Sequence, residues 1–341
     1  MIAGRGLRGR GLPILLEQAG APVKLQSFLK LVEIQTKVAS VIPFAFGTLY
    51  AYYRFGEFRP LPFALMLLSL LAFDMATTAI NNYMDYKKAV KTNGYGYESH
   101  NAIVSHKLSE RSVVTVIAAL LAVAAASGIV LVLNSDILVL ALGGLSFLVG
   151  ILYSYGPLPI SRMPLGELFS GVFMGFLLLF ITIFIQTNDG QLAAVDLSSL
   201  GKGLVTLRLN LVEILAVCLV SAPMVAGIAN IMLANNICDM EDDLENRRYT
   251  LPQYIGKRNS LLLFRIIYYV SYVDVIALAL LGVPIYLLLL IAATIIPLNR
   301  NLRAFDRQQL KAVTFGLSVK TFLILSASRL LVLALAILIG R

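Results

Sequence analysis

The sequence predicts an all-α polytopic membrane protein: nine transmembrane helices around a central cavity open to the cytoplasmic side. Three observations carry this prediction. Hydrophobic residues fill 58% of the 341 positions and charged residues only 14%, against about a quarter charged in soluble domains. The mean hydropathy is +0.82 over the whole chain. Basic residues cluster in every second connection between apolar runs, the asymmetry that orients membrane helices.

Nine runs are long enough to cross a bilayer: 31–52, 61–85, 112–134, 136–155, 164–187, 211–237, 261–281, 283–298 and 319–340, the eighth only just. The segment before them, 1–26, carries Arg5, Arg8 and Arg10, and its apolar run Pro13 to Leu16 is too short for a signal peptide. It is expected to be a flexible basic cytoplasmic arm, with 27–341 forming a single transmembrane domain. The even-numbered connections hold Lys87, Lys88, Lys91, Lys107 and Arg111, then Arg162, then Arg247, Arg248, Lys257 and Arg258, then Arg300, Arg303, Arg307 and Lys311. That bias places the N-terminus in the cytoplasm and the C-terminus outside a plasma membrane. It also accounts for the net charge of +9 without nucleic acid as a partner. Pro43 and Pro223 are expected to kink spans one and six. Gly150, Gly156, Gly166, Gly171 and Gly175 surround a tight connection and suit close helix packing. Cys218 and Cys238 lack metal-ligand spacing and read as packing thiols.

One pattern occurs twice. Asn81-Asn82-Tyr83-Met84-Asp85 closes span two, and Asn235-Asn236-Ile237-Cys238-Asp239 closes span six. Positions i, i+3 and i+4 share a helix face, so Asn81 or Asn82 stacks with Asp85, and Asn235, Asp239 and Asp243 form one oxygen-bearing stripe. Both motifs fall at helix C-termini, where the dipole is negative and a bound cation relieves the repulsion. Two such stripes facing each other suit a hard cation such as Mg²⁺. Polar groups inside spans each need an account. Lys37 either snorkels to the interface or reaches an anionic substrate. Asp274 and Arg329 are expected to pair across spans seven and nine, and Asp74 lies at similar depth. The loop after span two holds Tyr95, Tyr97, Glu98, His100 and His106.

Two acidic clusters, nearby cations and a membrane suit a diphosphate leaving group. Mg²⁺ neutralises its oxygens as the C–O bond breaks, and a water-poor site protects an allylic cation. At this point the motifs resemble those of the UbiA superfamily of intramembrane prenyltransferases, which carry N-D-x-x-D after the second helix and D-x-x-x-D after the sixth. The segments Leu152-Tyr153-Ser154-Tyr155-Gly156-Pro157 and Pro164-Leu165-Gly166-Glu167 are similar to the branch that prenylates 1,4-dihydroxy-2-naphthoate in menaquinone synthesis. The resemblance implies Asp85, Asp239 and Asp243 as Mg²⁺ ligands, helped by Asn82 and by Asn235 or Asn236. Lys37, Lys91, Arg162 and Arg248 are candidates for contacts with the polyprenyl diphosphate or the acceptor carboxylate, and the resemblance implies Tyr153 and Glu167 on the acceptor side. Asn82 stands where the family has Asp, and Lys91 where it has an acidic residue. The alternatives are a different acceptor such as 4-hydroxybenzoate, a non-catalytic homologue, and a transporter.

Overall fold

The computed structural model describes residues 24–88, 101–157, 159–187, 190–198, 200–202 and 204–340. Lys91, Tyr95, Tyr97, Glu98, His100 and the arm as far as residue 23 lie outside them.

The chain opens with a short helix, α1 (Leu25–Leu31), and a 3₁₀ turn, Ile34–Lys37. Glu33 breaks the two at a φ of 47°, so the first long helix, α2 (Val38–Phe55), starts later than the hydropathy pattern predicts. It is followed by α3 (Pro60–Lys88), the single turn α4 (Ala102–Ser105), α5 (Glu110–Leu133) and α6 (Ile137–Ser154). The next helix, α7, covers Gly166–Phe184. Its middle, Gly171–Leu177, is π-helical. Beyond a hairpin come α8 (Leu211–Cys238), α9 (Met240–Glu245), α10 (Leu251–Val270), α11 (Val273–Leu280), α12 (Ile285–Ala293), α13 (Ile295–Arg307) and α14 (Phe315–Leu338). Eight helical stretches among the described residues are long and apolar enough to cross a membrane, α10–α11 and α12–α13 each counting as one. The remaining predicted span, the first, corresponds to the 18-residue α2. The protein is a multi-pass, all-α membrane protein.

Local chemistry sets the helix ends. Ser109, Asp136 and Asn210 each cap the helix that follows, accepting from the backbone N–H of Ser112, Leu138 and Glu213. The loop 188–210 contains an antiparallel hairpin, β1 (Ala193–Asp196) and β2 (Thr206–Leu209), with Ala193 opposite Leu209. The sequence shows no strand pattern here, because the strands are four residues each and β2 is exposed on both faces.

Glycines decide how closely the central helices approach. A Cβ on Gly175 would sit 2.5 Å from the Val225 backbone of α8, and one on Gly171 2.9 Å from the Val225 carbonyl. Gly150 makes similar room for the Phe73 ring of α3. The expected kinks at Pro43 and Pro223 leave α2 and α8 unbroken as helices, although each proline removes a hydrogen bond. α10 is interrupted at Gly256, which takes φ 77° and ψ 157°.

The pairing expected of Asp274 and Arg329 is present. Both are fully buried, with Nε to Oδ2 at 2.8 Å and Nη2 to Oδ1 at 3.1 Å. The guanidinium also lies 4.9 Å from the centre of the Tyr272 ring. Two opposite charges so buried must satisfy one another, since neither is open to solvent.

Gly175→Ala forces the α7 and α8 backbones apart and should lower stability by about 1–3 kcal/mol. Gly143→Ala, with nothing within 4 Å of the added Cβ, should leave stability unchanged or raise it. Loss of the monodisperse peak with temperature, followed by size-exclusion chromatography in detergent, measures both.

Candidate active site

The two repeated motifs end up at the same end of the bundle. In the first, Asn81 and Asp85 lie one turn apart on α3, and the Asn81 amide donates to Asp85 at 3.4 Å. Ser154, the last residue of α6, donates to the Asn81 side-chain Oδ1 at 3.0 Å. Asn82 points elsewhere. It is buried, and its amide donates to the Leu31 carbonyl at 3.1 Å and to Glu33 at 3.2 Å. Its own carbonyl accepts from Asn101 at 2.9 Å. Asn82 therefore ties the entry segment and α4 to α3, which corrects its expected place beside Asp85: that place belongs to Asn81.

The second motif lies across the turn between α8 and α9. The Asp243 N–H donates to the Asp239 carbonyl at 2.8 Å, so the helical phase survives the turn and the two carboxylates stay on one face. Neither faces empty space. The Lys311 ammonium, from the loop before α14, donates to Asp239 Oδ2. Arg248 brings Nε to 3.4 Å from Asp243 Oδ1, and Thr250 donates to the same carboxylate at 3.4 Å. Asp243 is only 3% exposed. Burial pushes its carboxyl up to about 6, with Asp239 adding to the rise and Arg248 and Lys311 opposing it. Asn235 sits half-buried one turn before Asp239.

Arg162 links the motifs. Its half-buried guanidinium feels Asp85 and Asp243, which favour its charge, while burial and the neighbouring Arg248 press its pKa down. The backbone locks this arrangement: Tyr249 N–H donates to the Arg162 carbonyl at 3.1 Å, and Arg248 Nη2 to the Ser161 carbonyl at 3.4 Å.

Beside this charged cluster is a second, drier pair. Glu167, in the first turn of α7, accepts from the Asn236 amide at 2.8 Å. Glu167 Oε2 and Asn236 Oδ1 are both buried and have no hydrogen-bond partner among the described residues. Two unpartnered buried oxygens cost free energy unless a ligand supplies donors. The half-buried Tyr153 lies near this pair, its hydroxyl donating to the Gly166 carbonyl at 3.5 Å.

Lys37 takes neither of its expected roles. It is 4% exposed and its ammonium is shared by Asp74 Oδ1 at 2.6 Å and Thr78 at 2.7 Å, while Ser40 donates to Asp74 Oδ2 at 2.6 Å. A charge bonded this fully inside the protein is a structural tie between α2 and α3. Lys311 is the residue that sequence reasoning missed. It counted only as a loop charge, and its 72-residue separation from Asp239 hides the pairing.

Among the described residues no three acidic, histidine or cysteine side chains converge as a ready-made metal cage. That fits Mg²⁺, which takes one or two carboxylates and completes its shell with water and phosphate oxygens. Asp239 and Asp243 lie on one face of the turn, and Asp85 and Asp243 both act on Arg162. Lys311→Met frees Asp239 and should tighten binding of Mn²⁺, a paramagnetic Mg²⁺ substitute, by roughly tenfold. Binding should weaken as pH falls through about 6, because Asp243 takes up a proton there and leaves the ligand set. Electron paramagnetic resonance titration of Mn²⁺ at pH 7.5 and pH 5 measures both effects.

Comparison with known proteins agrees with this architecture. A model of the UbiA prenyltransferase family matches residues 40–338. The 1,4-dihydroxy-2-naphthoate octaprenyltransferase of Bacillus subtilis (strain 168) is 30% identical over 260 residues, 75% of either chain. A UbiA homolog from Archaeoglobus fulgidus, solved bound to DMAPP and Mg²⁺, superposes with a TM-score of 0.61 at 16% identity, covering 92% of this chain and 99% of its own. The apo UbiA homolog from Aeropyrum pernix K1 superposes with a TM-score of 0.62 at 19% identity, covering 90% and 98%. With its motifs gathered at one end of such a helical bundle, the chain belongs to the UbiA prenyltransferase family.

Proposed function

We propose that this protein transfers a polyprenyl group from a polyprenyl diphosphate to 1,4-dihydroxy-2-naphthoate, releasing diphosphate and carbon dioxide and forming demethylmenaquinone in its reduced form. The observation that carries this is the convergence of Asp85, Arg162, Asp239, Asp243 and Arg248 beside the buried, half-satisfied pair Glu167–Asn236. The naphthoate acceptor is supported by the 30% identical relative named for it.

In this reading Asp239, Asp243 and Asp85 hold Mg²⁺, with Asn81 and Asn235 as neutral oxygen donors nearby. Held there, Mg²⁺ would supply positive charge to neutralise the diphosphate leaving group. Arg162 and Arg248 stand ready to bind diphosphate oxygens in bidentate fashion. Lys311 leaves Asp239 for the leaving group as the site fills. Glu167 Oε2 accepts a hydrogen bond from an acceptor hydroxyl, which raises electron density on the ring that attacks the allylic carbon. Tyr153 borders that pocket, and the apolar interior takes the prenyl tail and excludes water. Lys91 belongs to this reading as a diphosphate contact.

The bundle serves as one transmembrane domain of the plasma membrane, with the motif end in the cytoplasm and the C-terminus outside. The basic residues at the motif end, Lys107, Arg111, Arg247 and Lys257 among them, support that orientation.

Membranes bearing the protein, given 1,4-dihydroxy-2-naphthoate and geranylgeranyl diphosphate, should form a prenylated naphthoquinol, recovered as the quinone after oxidation in air, only with Mg²⁺. Asp239→Ala should reduce turnover at least about a hundredfold; near-normal turnover by a folded variant defeats the metal assignment. Glu167→Gln should raise KM for the naphthoate about tenfold and leave KM for the diphosphate unchanged. Turnover with another aromatic acceptor alone would keep the reaction class and replace the acceptor.

A further inference from the structure

The helix pair α12–α13 carries a stripe that no step of the prenyl transfer uses. Thr294 joins the two helices in right-handed helical conformation, φ −66° and ψ −11°, so the helical phase runs through from Ile285 to Arg307. Leu289, Ala293, Ile296, Arg300, Arg303 and Arg307 follow one another at spacings of four and three, which places them on one face. All six are exposed, Leu289 at 65% and Ile296 at 73%. The stripe is wholly apolar in its first half and wholly arginine in its second.

The opposite face of α13 is buried. Leu298, Leu302 and Phe305 pack against Phe264 and its neighbours, and the Asn301 amide donates to Thr321 at 3.0 Å. The arginine stripe therefore faces away from the bundle. The neighbouring carboxylate of α13, Asp306, is already held by Arg265. Among the described residues none of the three arginines forms an ion pair. Their side chains, with Ile296, line a shallow trough. The trough lies at the end that carries the two motifs, because the loop directly after α13 delivers Lys311 to Asp239.

We infer that this stripe binds the phosphate headgroup of an anionic phospholipid, with the acyl chains lying along Leu289 and Ile296. Continuity with the lipid-facing half argues for a bilayer lipid over a soluble phosphate: the same face that meets acyl chains turns into guanidinium groups one helical turn beyond Ile296. Length argues the same way. The apolar part of this hairpin arm, 283–298, is the shortest span of the chain, and a short span draws its flanking residues into the headgroup layer. Arginine suits the task, since its planar fork matches two phosphate oxygens at once. Basic pockets at the membrane boundary bind such headgroups. Loop charges that only fix topology need neither one helix face nor an apolar continuation.

The test uses the full chain purified in a neutral detergent, with phosphatidylglycerol and phosphatidylcholine as probes and native mass spectrometry as readout. The wild type should retain phosphatidylglycerol saturably and in preference to phosphatidylcholine. R300Q/R303Q should bind phosphatidylglycerol roughly thirtyfold more weakly. K257Q/R258Q, which removes the same charge from exposed positions of α10 at the same end, should bind it as the wild type does. Equal loss in both double variants would reduce the stripe to general surface charge and overturn the inference. Displacement of the lipid by inorganic phosphate at low millimolar concentration would also overturn it, since a headgroup anchored by its acyl chains resists a soluble anion. R303K, which keeps the charge but not the fork, should fall between the wild type and R300Q/R303Q; binding unchanged from the wild type would remove the bidentate recognition the inference requires.

Discussion

Carboxylates gathered at the C-terminal ends of apolar helices are the constraint on which this structure depends. The helix dipole is already negative there, and Asp243 is almost completely buried. Such a set exists only where cations come to meet it. They come from three separate connections: Arg162 from the link between α6 and α7, Arg248 from the link between α9 and α10, and Lys311 from the link before α14. Bringing those three links to one end requires helices that cross the bundle in alternation, so the fold and the charge pattern are two aspects of one requirement. The same logic recurs within the bundle, where Lys37–Asp74 and Asp274–Arg329 neutralise one another out of reach of water.

Close packing transmits this arrangement to the second half of the site. Gly171 and Gly175 let α7 lie directly on the Val225 backbone of α8, and Gly227 lets the Phe322 ring of α14 lie on the other side of α8. With little hydrophobic force between helices in lipid, such contacts carry much of the association. They also hold Glu167 at the head of α7 against Asn236 near the end of α8. Polar geometry at the motif end is thus set by apolar geometry in the middle of the bundle.

Much of this was legible in the sequence, for definable reasons. Membrane helices must be apolar over a fixed length, so their number and order could be read from runs of residues. The repeat of N-N-x-x-D pointed to both carboxylate clusters, and the depth of Asp274 and Arg329 pointed to their pairing. What could not be read depends on direction in three dimensions. Asn81 and Asn82 differ by about 100° around the helix, and composition does not say which of them faces Asp85. The partner of Lys37 became visible only once α3 lay against it. Lys311 meets Asp239 because the last connection folds back over the site. The hairpin of the 188–210 connection escaped notice because its second strand is exposed on both faces and shows no alternation of burial.

The π-helical stretch of α7, Gly171–Leu177, separates the polar head of that helix from its fully buried tail, Leu178–Phe184. Each wide turn carries a residue beyond what an α-helix would use. The stretch therefore acts as a phase shift between two faces that answer to different neighbours. The head must point Glu167 at Asn236, and the tail must point Thr182 at Gly47. Loss of a single residue here would be taken up by tightening the stretch to α-helix, which keeps Glu167 near its present direction; loss of a second would swing it by about 100° relative to the tail. The register of the Glu167–Asn236 contact therefore tolerates one change of length in this stretch and not two.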